Sequence, residues 1–158
     1  QIAAYMHDIG NVVNRNDHAQ TGAVMAFRIL DNLGMMVEDI ATIVTAIGNH
    51  DDSTAYPVNA ITAALILADK TDVRRSRVTN KDRTTFDIHD RVNFAAVQNS
   101  VNLDTEAKTF TLKIVIDTEI CSVMDYFEIF LERMILCKKA AKKLGLEFRL
   151  IINDLSVI

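Results

Sequence analysis

Apolar residues recur at helical spacing through most of this 158-residue chain, and this periodicity restricts its fold more than any other feature. Proline occurs once and glycine five times, so few residues interrupt a helix. An all-β sandwich, which needs many turns, is therefore disfavoured. The spacing predicts helices over residues 1–9, 18–33, 37–49, 59–75 and 90–99, with a loop rich in charge and threonine over 76–87. The fold class that these elements indicate is mainly α.

The sequence pattern changes in the last third of the chain. Residues 109–116 alternate and are β-branched, and 147–152 repeat this pattern, which predicts two strands. Between them, residues 120–144 form one long amphipathic pattern that predicts a helix. We therefore predict a helical domain over 1–100 and a small α+β appendage, strand-helix-strand, over 101–158. Two strands alone are marginally stable, so this regulatory or dimerising appendage would pair with another segment or with a second copy, giving a homodimer.

Composition and charge exclude several classes of protein. The net charge of −4 gives no support for nucleic-acid or membrane-surface binding. No apolar run reaches the roughly 18–20 residues of a membrane span, and no signal peptide is visible. Cys121 and Cys137 lie on one predicted helix about 24 Å apart, which is too far for a disulfide. Free thiols suggest a reducing compartment, so the expected location is cytoplasmic.

Three of the four histidines lie in the acidic first part of the chain, where residues 1–65 hold two basic and seven acidic side chains. His7, His18 and His50 each have an aspartate as an immediate neighbour in the sequence. Imidazole and carboxylate groups together suit Mn, Fe, Zn or Mg. For any one of these histidines taken alone, a capping or solvent-exposed role is the alternative. His89, outside this region, is interpreted as a surface or capping group.

Asp69 is a further candidate ligand. It follows four apolar residues on a helix predicted to be buried, and a buried carboxylate is costly unless it is paired or bound to a metal. The alternative is a salt bridge from Asp69 to Lys70 or Arg74. Lys70, Arg74 and Arg75 follow within about one and a half helical turns and are candidates for binding phosphate oxygens, with a solvated helix end as their alternative.

In this order, the residues resemble the motifs of a known family. The four segments that carry the resemblance are Met6-His7-Asp8-Ile9-Gly10, His18-Ala-Gln-Thr-Gly22, Ala46-Ile-Gly-Asn-His50 and Leu67-Ala-Asp-Lys-Thr-Asp72. Over about residues 3–75 the chain resembles the HD-domain superfamily of metal-dependent phosphohydrolases. The resemblance implies an HD-type helical bundle that hydrolyses a phosphomonoester or phosphoanhydride bond in a small phosphorylated substrate, such as a nucleotide, by metal-activated water.

The resemblance also implies roles for individual residues. Asp8 would bridge two divalent metal ions. His7 and Asp69 would hold the first ion, and His18 and His50 the second. Asp8, Lys70 and Arg74 would be the catalytic residues, with Lys70 and Arg74 binding the phosphate.

Two departures from the family pattern favour other functions. The family places a further metal-binding histidine in a helix upstream of the His-Asp dyad, and only six residues precede His7 here, so we expect that the N-terminal helix is missing from this sequence. Asn11 stands where many relatives have lysine. The alternative function is a catalytically decayed HD domain that acts as a nucleotide-binding or signalling module. A third interpretation is a structural helical protein with incidental histidines.

Overall fold

The computed structural model describes residues 1–52 and 54–157, and these residues form a mainly helical protein with one small sheet. The chain divides into two compact units, Gln1–Asp69 and Lys70–Ile158. This division comes earlier than the domain boundary predicted after residue 100. A contact that is distant in sequence accompanies this division: the Asn99 side-chain amide donates hydrogen bonds to the carbonyl oxygens of Thr71 and Val73, at 2.7 and 2.9 Å, and so holds residues 71–73 in the second unit.

The first unit is built from helices. Its elements are α1 (Ile2–Met6), a 3-10 turn (Ile9–Val12), α2 (His18–Asn32), α3 (Val37–Gly48) and α4 (Ala60–Lys70), whose last residue belongs to the second unit. Helix α3 packs against α1 and α2, and the 3-10 turn packs against α2. The buried core of this unit contains Ala3, Met6, Ala26, Leu30, Ile40, Ala46, Ile47 and Leu65. Burial of these apolar side chains stabilises the packing that brings the helix ends together.

The predicted helices of this unit are confirmed, with two corrections at their ends. α2 and α3 end within one residue of the predicted bounds. The first helix ends at Met6 rather than at residue 9, and the chain continues into the 3-10 turn. α4 ends at Lys70 rather than at residue 75, because the carbonyl oxygens of residues 71 and 73 accept hydrogen bonds from the Asn99 side chain. The backbone of Arg74 is extended and not helical. The helical spacing predicted between Lys70 and Arg74 is therefore wrong.

The second unit combines two α-helices with one mixed, four-stranded β-sheet. Its elements are α5 (Ile88–Ala95), β1 (Ala96–Asp104), β2 (Thr109–Ile116), α6 (Val123–Lys143), β3 (Glu147–Ile152) and β4 (Leu155–Ser156), with short 3-10 turns at 75–77 and 83–85. The strand order is β1-β2-β3-β4. β2 and β3 run parallel, joined by α6, which packs on β3, while β1 pairs antiparallel with β2 and β4 with β3.

The predicted strand-helix-strand unit is confirmed as β2, α6 and β3, although α6 begins at Val123 rather than at residue 120 because Ser122 caps it. The sheet has two further strands. The helix predicted over residues 90–99 is wrong in its second half, since α5 ends at Ala95 and β1 begins at Ala96. β1 was not predicted because its residues are mostly exposed and polar. Apolar and polar residues therefore do not alternate along it as they do in a half-buried strand. β1 and β4 supply the pairing that the sequence left open, and the homodimer stays a prediction.

Two further expectations concern the cysteines and membranes. Cys121 and Cys137 form no disulfide and are both buried, as predicted, although Cys121 precedes α6 instead of lying on it. In the described ranges, the helices all fall short of the length and apolar character that crossing a membrane requires. The HD-type arrangement of the helices and the cytoplasmic location stay predictions.

Candidate metal centre

The predicted metal ligands lie at the ends of four helices in the first unit. His7 directly follows α1, His18 is the first residue of α2, and His50 follows the end of α3. Asp8 immediately precedes the 3-10 turn, with φ −99° and ψ 6°, in the bridge region of backbone space where many active-site residues are found. Asp69 lies in the last turn of α4. Side chains far apart in sequence therefore meet because helix ends meet.

Asp8 lies among all three histidines. Its Oδ1 atom is 3.3 Å from His18 Nε2 and 3.9 Å from His50 Nε2, and its Oδ2 atom is 3.4 Å from His7 Nε2. His7 Nε2 is also 3.7 Å from Asp69 Oδ1. The structure thus brings together the five residues predicted as metal ligands.

The five residues form two overlapping triads. The ligand atoms of His7, His50 and Asp69 lie within 4.8 Å of one another, and so do those of Asp8, His18 and His50. His50 belongs to both triads, whereas the resemblance assigned it to the second ion alone. The ring of His50 meets those of His7 and His18 edge-on, with centroids 5.0 and 5.2 Å apart.

Hydrogen bonds to main-chain carbonyls fix the orientation of the three imidazole rings. The Nδ1 atoms of His7, His18 and His50 bond to the carbonyl oxygens three residues earlier, Ala4, Arg15 and Ile47, at 2.8, 3.0 and 2.6 Å. A carbonyl oxygen only accepts, so each Nδ1 carries the proton and donates. In a neutral imidazole the lone pair is then on Nε2, the atom that faces the carboxylates. Metal-binding histidines are held in this way, by a hydrogen bond from the other ring nitrogen.

Two glycines allow the close approach that places Asp8 beside His18. A Cβ atom at Gly10 would lie 2.0 Å from the carbonyl oxygen of His18 and 2.7 Å from the amide nitrogen of Gly22. A Cβ atom at Gly22 would in turn lie 3.2 Å from the nitrogen of Gly10. The 3-10 turn therefore rests on the first turns of α2, and no side chain fits between their backbones.

The cluster is buried at its base and open at Asp8. His18 and His50 are 2% and 1% exposed, whereas the Asp8 side chain is 46% exposed. Two charged neighbours complete it: Arg15 Nη1 lies 3.9 Å from Asp8 Oδ1, and Asp51 Oδ1 lies 3.9 Å from His18 Nε2. Neither residue was predicted from the sequence as part of the site. The position of Asp51 directly after His50 is a signal that could have identified it, whereas nothing in the sequence around Arg15 indicates its role.

The residues present fit a divalent transition metal. Two ligands bound at ~2.1 Å to a tetrahedral ion are about 3.4 Å apart, which is close to the 3.3–3.9 Å separations between the Nε2 and carboxylate atoms. These separations are longer than typical hydrogen bonds. Imidazole nitrogen and carboxylate oxygen are also the ligands that Zn, Mn and Fe accept together. The His/Asp cluster could therefore hold a metal ion.

The carboxylate of Asp69 raises the pKa of His7 above its usual range, burial opposes this effect, and the Asp8 carboxylate adds to it. We expect Asp69→Asn to lower the pKa of His7 in metal-free protein, as measured by NMR titration of the imidazole.

Because the folded-state pKa of His7 is raised, its interaction with Asp69 stabilises the metal-free fold below about pH 6.5, and the stabilisation is lost as pH rises through the folded pKa. Metal affinity should change in the opposite direction, rising over the same interval, since an ion needs neutral Nε2.

An unchanged His7 pKa in Asp69→Asn would contradict this account. Asp31→Asn is the matched control, because Asp31 is exposed on α2 and outside the cluster.

The cationic residues predicted to bind phosphate belong to the second unit. Lys70 is buried at the end of α4. Arg74 Nε lies 2.7 Å from Asp72 Oδ1, and Arg77 Nη1 lies 3.1 Å from Asp72 Oδ2, so one carboxylate faces both guanidinium groups. Arg75 donates from Nε to the Phe94 carbonyl at 2.6 Å. The catalytic roles of Lys70 and Arg74 stay predictions. His89 is exposed on α5, as predicted.

Comparisons with protein-family models, with curated proteins and with solved structures find no match to this chain.

Proposed function

We propose that this protein is a metal-dependent phosphohydrolase that cleaves a phosphomonoester or phosphoanhydride bond in a nucleotide-like substrate. The observation that carries the proposal is the set of three Nδ1-to-carbonyl hydrogen bonds, which aim three Nε2 atoms at the carboxylates of Asp8 and Asp69. Metal-binding histidines are held in this arrangement, with the second ring nitrogen hydrogen-bonded and Nε2 directed at the other ligands. The motif order that resembles HD-domain enzymes adds the reaction class.

The cluster would hold two divalent ions through His7, Asp8, His18, His50 and Asp69. Such ions lower the pKa of water and polarise phosphoryl oxygens. Asp8 supplies a carboxylate that reaches both triads, with Oδ2 toward His7 and Oδ1 toward His18. The buried rings of His18 and His50 exclude solvent from the base of the site, so a substrate would approach at the exposed side of Asp8.

Arg15 is the residue that we assign to substrate phosphate. Its side chain is 69% exposed, and its Nη1 atom lies 3.9 Å from Asp8 at the open side of the cluster. Because guanidinium binds phosphate oxygens in a fork, we expect Arg15→Gln to raise KM about fivefold while metal content stays unchanged. Steady-state kinetics and elemental analysis on the same preparation test this. Arg28→Gln is the control, as the other arginine of the first unit. Loss of metal in Arg15→Gln would contradict the assignment.

Elemental analysis together with a phosphate-release screen tests the function. The protein is purified aerobically and anaerobically, its metal content per chain is measured, and release of inorganic phosphate is followed with nucleoside mono- and triphosphates and dinucleoside polyphosphates. We expect about two ions per chain and turnover of at least one substrate class. Absence of bound metal would refute the proposal. Metal binding and ligand-induced stabilisation without turnover would favour the nucleotide-binding module instead.

A further inference from the structure

Strand β1 forms one edge of the sheet in the second unit. It is nine residues long, and the strand order leaves it with one neighbour, β2. Natural proteins protect such edges with lysine, proline, a β-bulge or a short strand. The one irregularity of β1 lies between Ala96 and Gln98, residues 98–104 contain none of these features, and the one charged residue is Asp104 at the end. An edge of this kind is a template for pairing with another strand.

The pairing pattern identifies which residues of β1 point outward. The carbonyl of Ile114 on β2 accepts from Asn153 on the β3 side, so the alternate β2 residues, such as Lys113, bond toward β1. Lys113 is opposite Ser100. Even-numbered residues of β1 from Gln98 onward therefore bond to β2. Asn99, Val101 and Leu103 point their N–H and C=O groups away from the sheet, and within residues 1–52 and 54–157 these groups have no backbone partner.

The exposed apolar side chains belong to the same residues. Val101 is 46% and Leu103 is 54% exposed, although they share a sheet face with their β2 partners Leu112, which is fully buried, and Phe110. The β1 end of this face is therefore apolar and accessible. A strand added beside β1 would satisfy the outward backbone groups and cover these two side chains.

The regular part of β1 can pair with a second copy of itself without opposing like charges. An irregularity between Ala96 and Gln98 ends the ladder, so residues 98–104 are the regular stretch, and Val101 is at their centre. Two copies paired antiparallel about Val101 place Val101 opposite Val101, Asn99 opposite Leu103 and Ser100 opposite Asn102. Gln98 then faces Asp104, so the single charge meets a neutral amide and never its own copy. This register uses every outward N–H and C=O of the stretch.

We propose that the protein forms a homodimer by antiparallel pairing of β1 with β1 of a second copy, centred on Val101, so that one sheet continues through both copies. The interface is independent of the proposed metal site. It is small, because it joins seven residues from each copy, so the dimer is expected to be weak and to depend on concentration.

Sedimentation velocity of the full chain over a wide concentration range tests the dimer. Val101→Lys places two like charges opposite each other and should weaken dimerisation at least about tenfold. Val101→Pro removes an N–H that points outward, so it should abolish the dimer while the β1–β2 ladder is retained. Met124→Lys, at a 73% exposed position on α6, is the charge-matched control and should leave the dimer intact. Circular dichroism verifies that each variant is folded.

A protein that is monomeric at every concentration, or a dimer that persists in both Val101 variants, would overturn the proposal. Cross-linking tests the register. Val101→Cys should form an intermolecular disulfide under oxidation, since the Cα atoms of a directly opposed hydrogen-bonded pair are about 5.5 Å apart. Ser100→Cys should not, because Ser100 faces Asn102. Cross-linking through Ser100→Cys equal to or greater than that through Val101→Cys would overturn the register.

Discussion

Asp8→Asn is expected to lower both metal affinity and phosphate release by at least about 100-fold. The two carboxylate oxygens of Asp8 lie 3.3 and 3.4 Å from the Nε2 atoms of His18 and His7, so this residue reaches both triads. Asparagine has the same shape but no charge, and one of its two terminal atoms is an amide nitrogen, which cannot be a ligand. The replacement therefore removes a charged ligand without creating a cavity.

Elemental analysis and a phosphate-release assay on the same preparation measure this effect. Asp31→Asn is the matched control, since Asp31 is an exposed aspartate of α2 outside the cluster. Normal metal content in Asp8→Asn would show that Asp8 is not a shared ligand. Normal metal content with lost turnover would assign Asp8 to the reaction rather than to metal binding.

Gly10→Ala is expected to destabilise the protein by about 3 kcal/mol and to abolish metal binding. The added Cβ atom would lie 2.0 Å from the carbonyl oxygen of His18 and 2.9 Å from its carbonyl carbon. These are backbone atoms at the start of α2, so they cannot move aside as a flexible side chain does. The 3-10 turn must shift from α2, and this shift separates Asp8 from His18.

Thermal unfolding of metal-free and metal-loaded protein separates the two effects of Gly10→Ala. The metal-free protein should unfold at a lower temperature, and added metal should no longer raise that temperature. Gly48→Ala is the control, because a Cβ atom there meets only the Cβ of Ala23 at 3.6 Å, an ordinary contact. Stability equal to that of Gly48→Ala would contradict the close approach between the 3-10 turn and α2.

The five residues of the His/Asp cluster were predictable because each has a local signal in the sequence. His7, His18 and His50 are each next to an aspartate near a predicted helix end, and Asp69 follows a buried apolar run. The hydrogen bonds from Nδ1 to the carbonyls three residues earlier were not predictable. They depend on the χ angles of each histidine and on how the chain leaves or enters a helix, which residue order does not specify.

Two errors in the predicted fold, the end of α4 and the missed strand β1, depend on long-range hydrogen bonds. The side-chain amide of Asn99 donates hydrogen bonds to the carbonyl oxygens of residues 71 and 73. This contact, between residues more than twenty positions apart, accompanies the end of α4 at Lys70. β1 exists because β2 pairs with it, although its own residues carry a weak strand pattern. By contrast, α2, α3, β2 and β3 bury one face each, and their periodicity gave their bounds to within a residue.

The double membership of His50 has a consequence for stoichiometry. One Nε2 atom has one lone pair, so His50 can serve a single ion at a time. If that ion also takes Asp8 and His18, the neighbouring position retains His7 and Asp69, with fewer protein ligands and more coordination sites left for water or substrate. Two ions bound side by side would then be unequal: one would be held more tightly, and the other would exchange more readily with metal in the buffer.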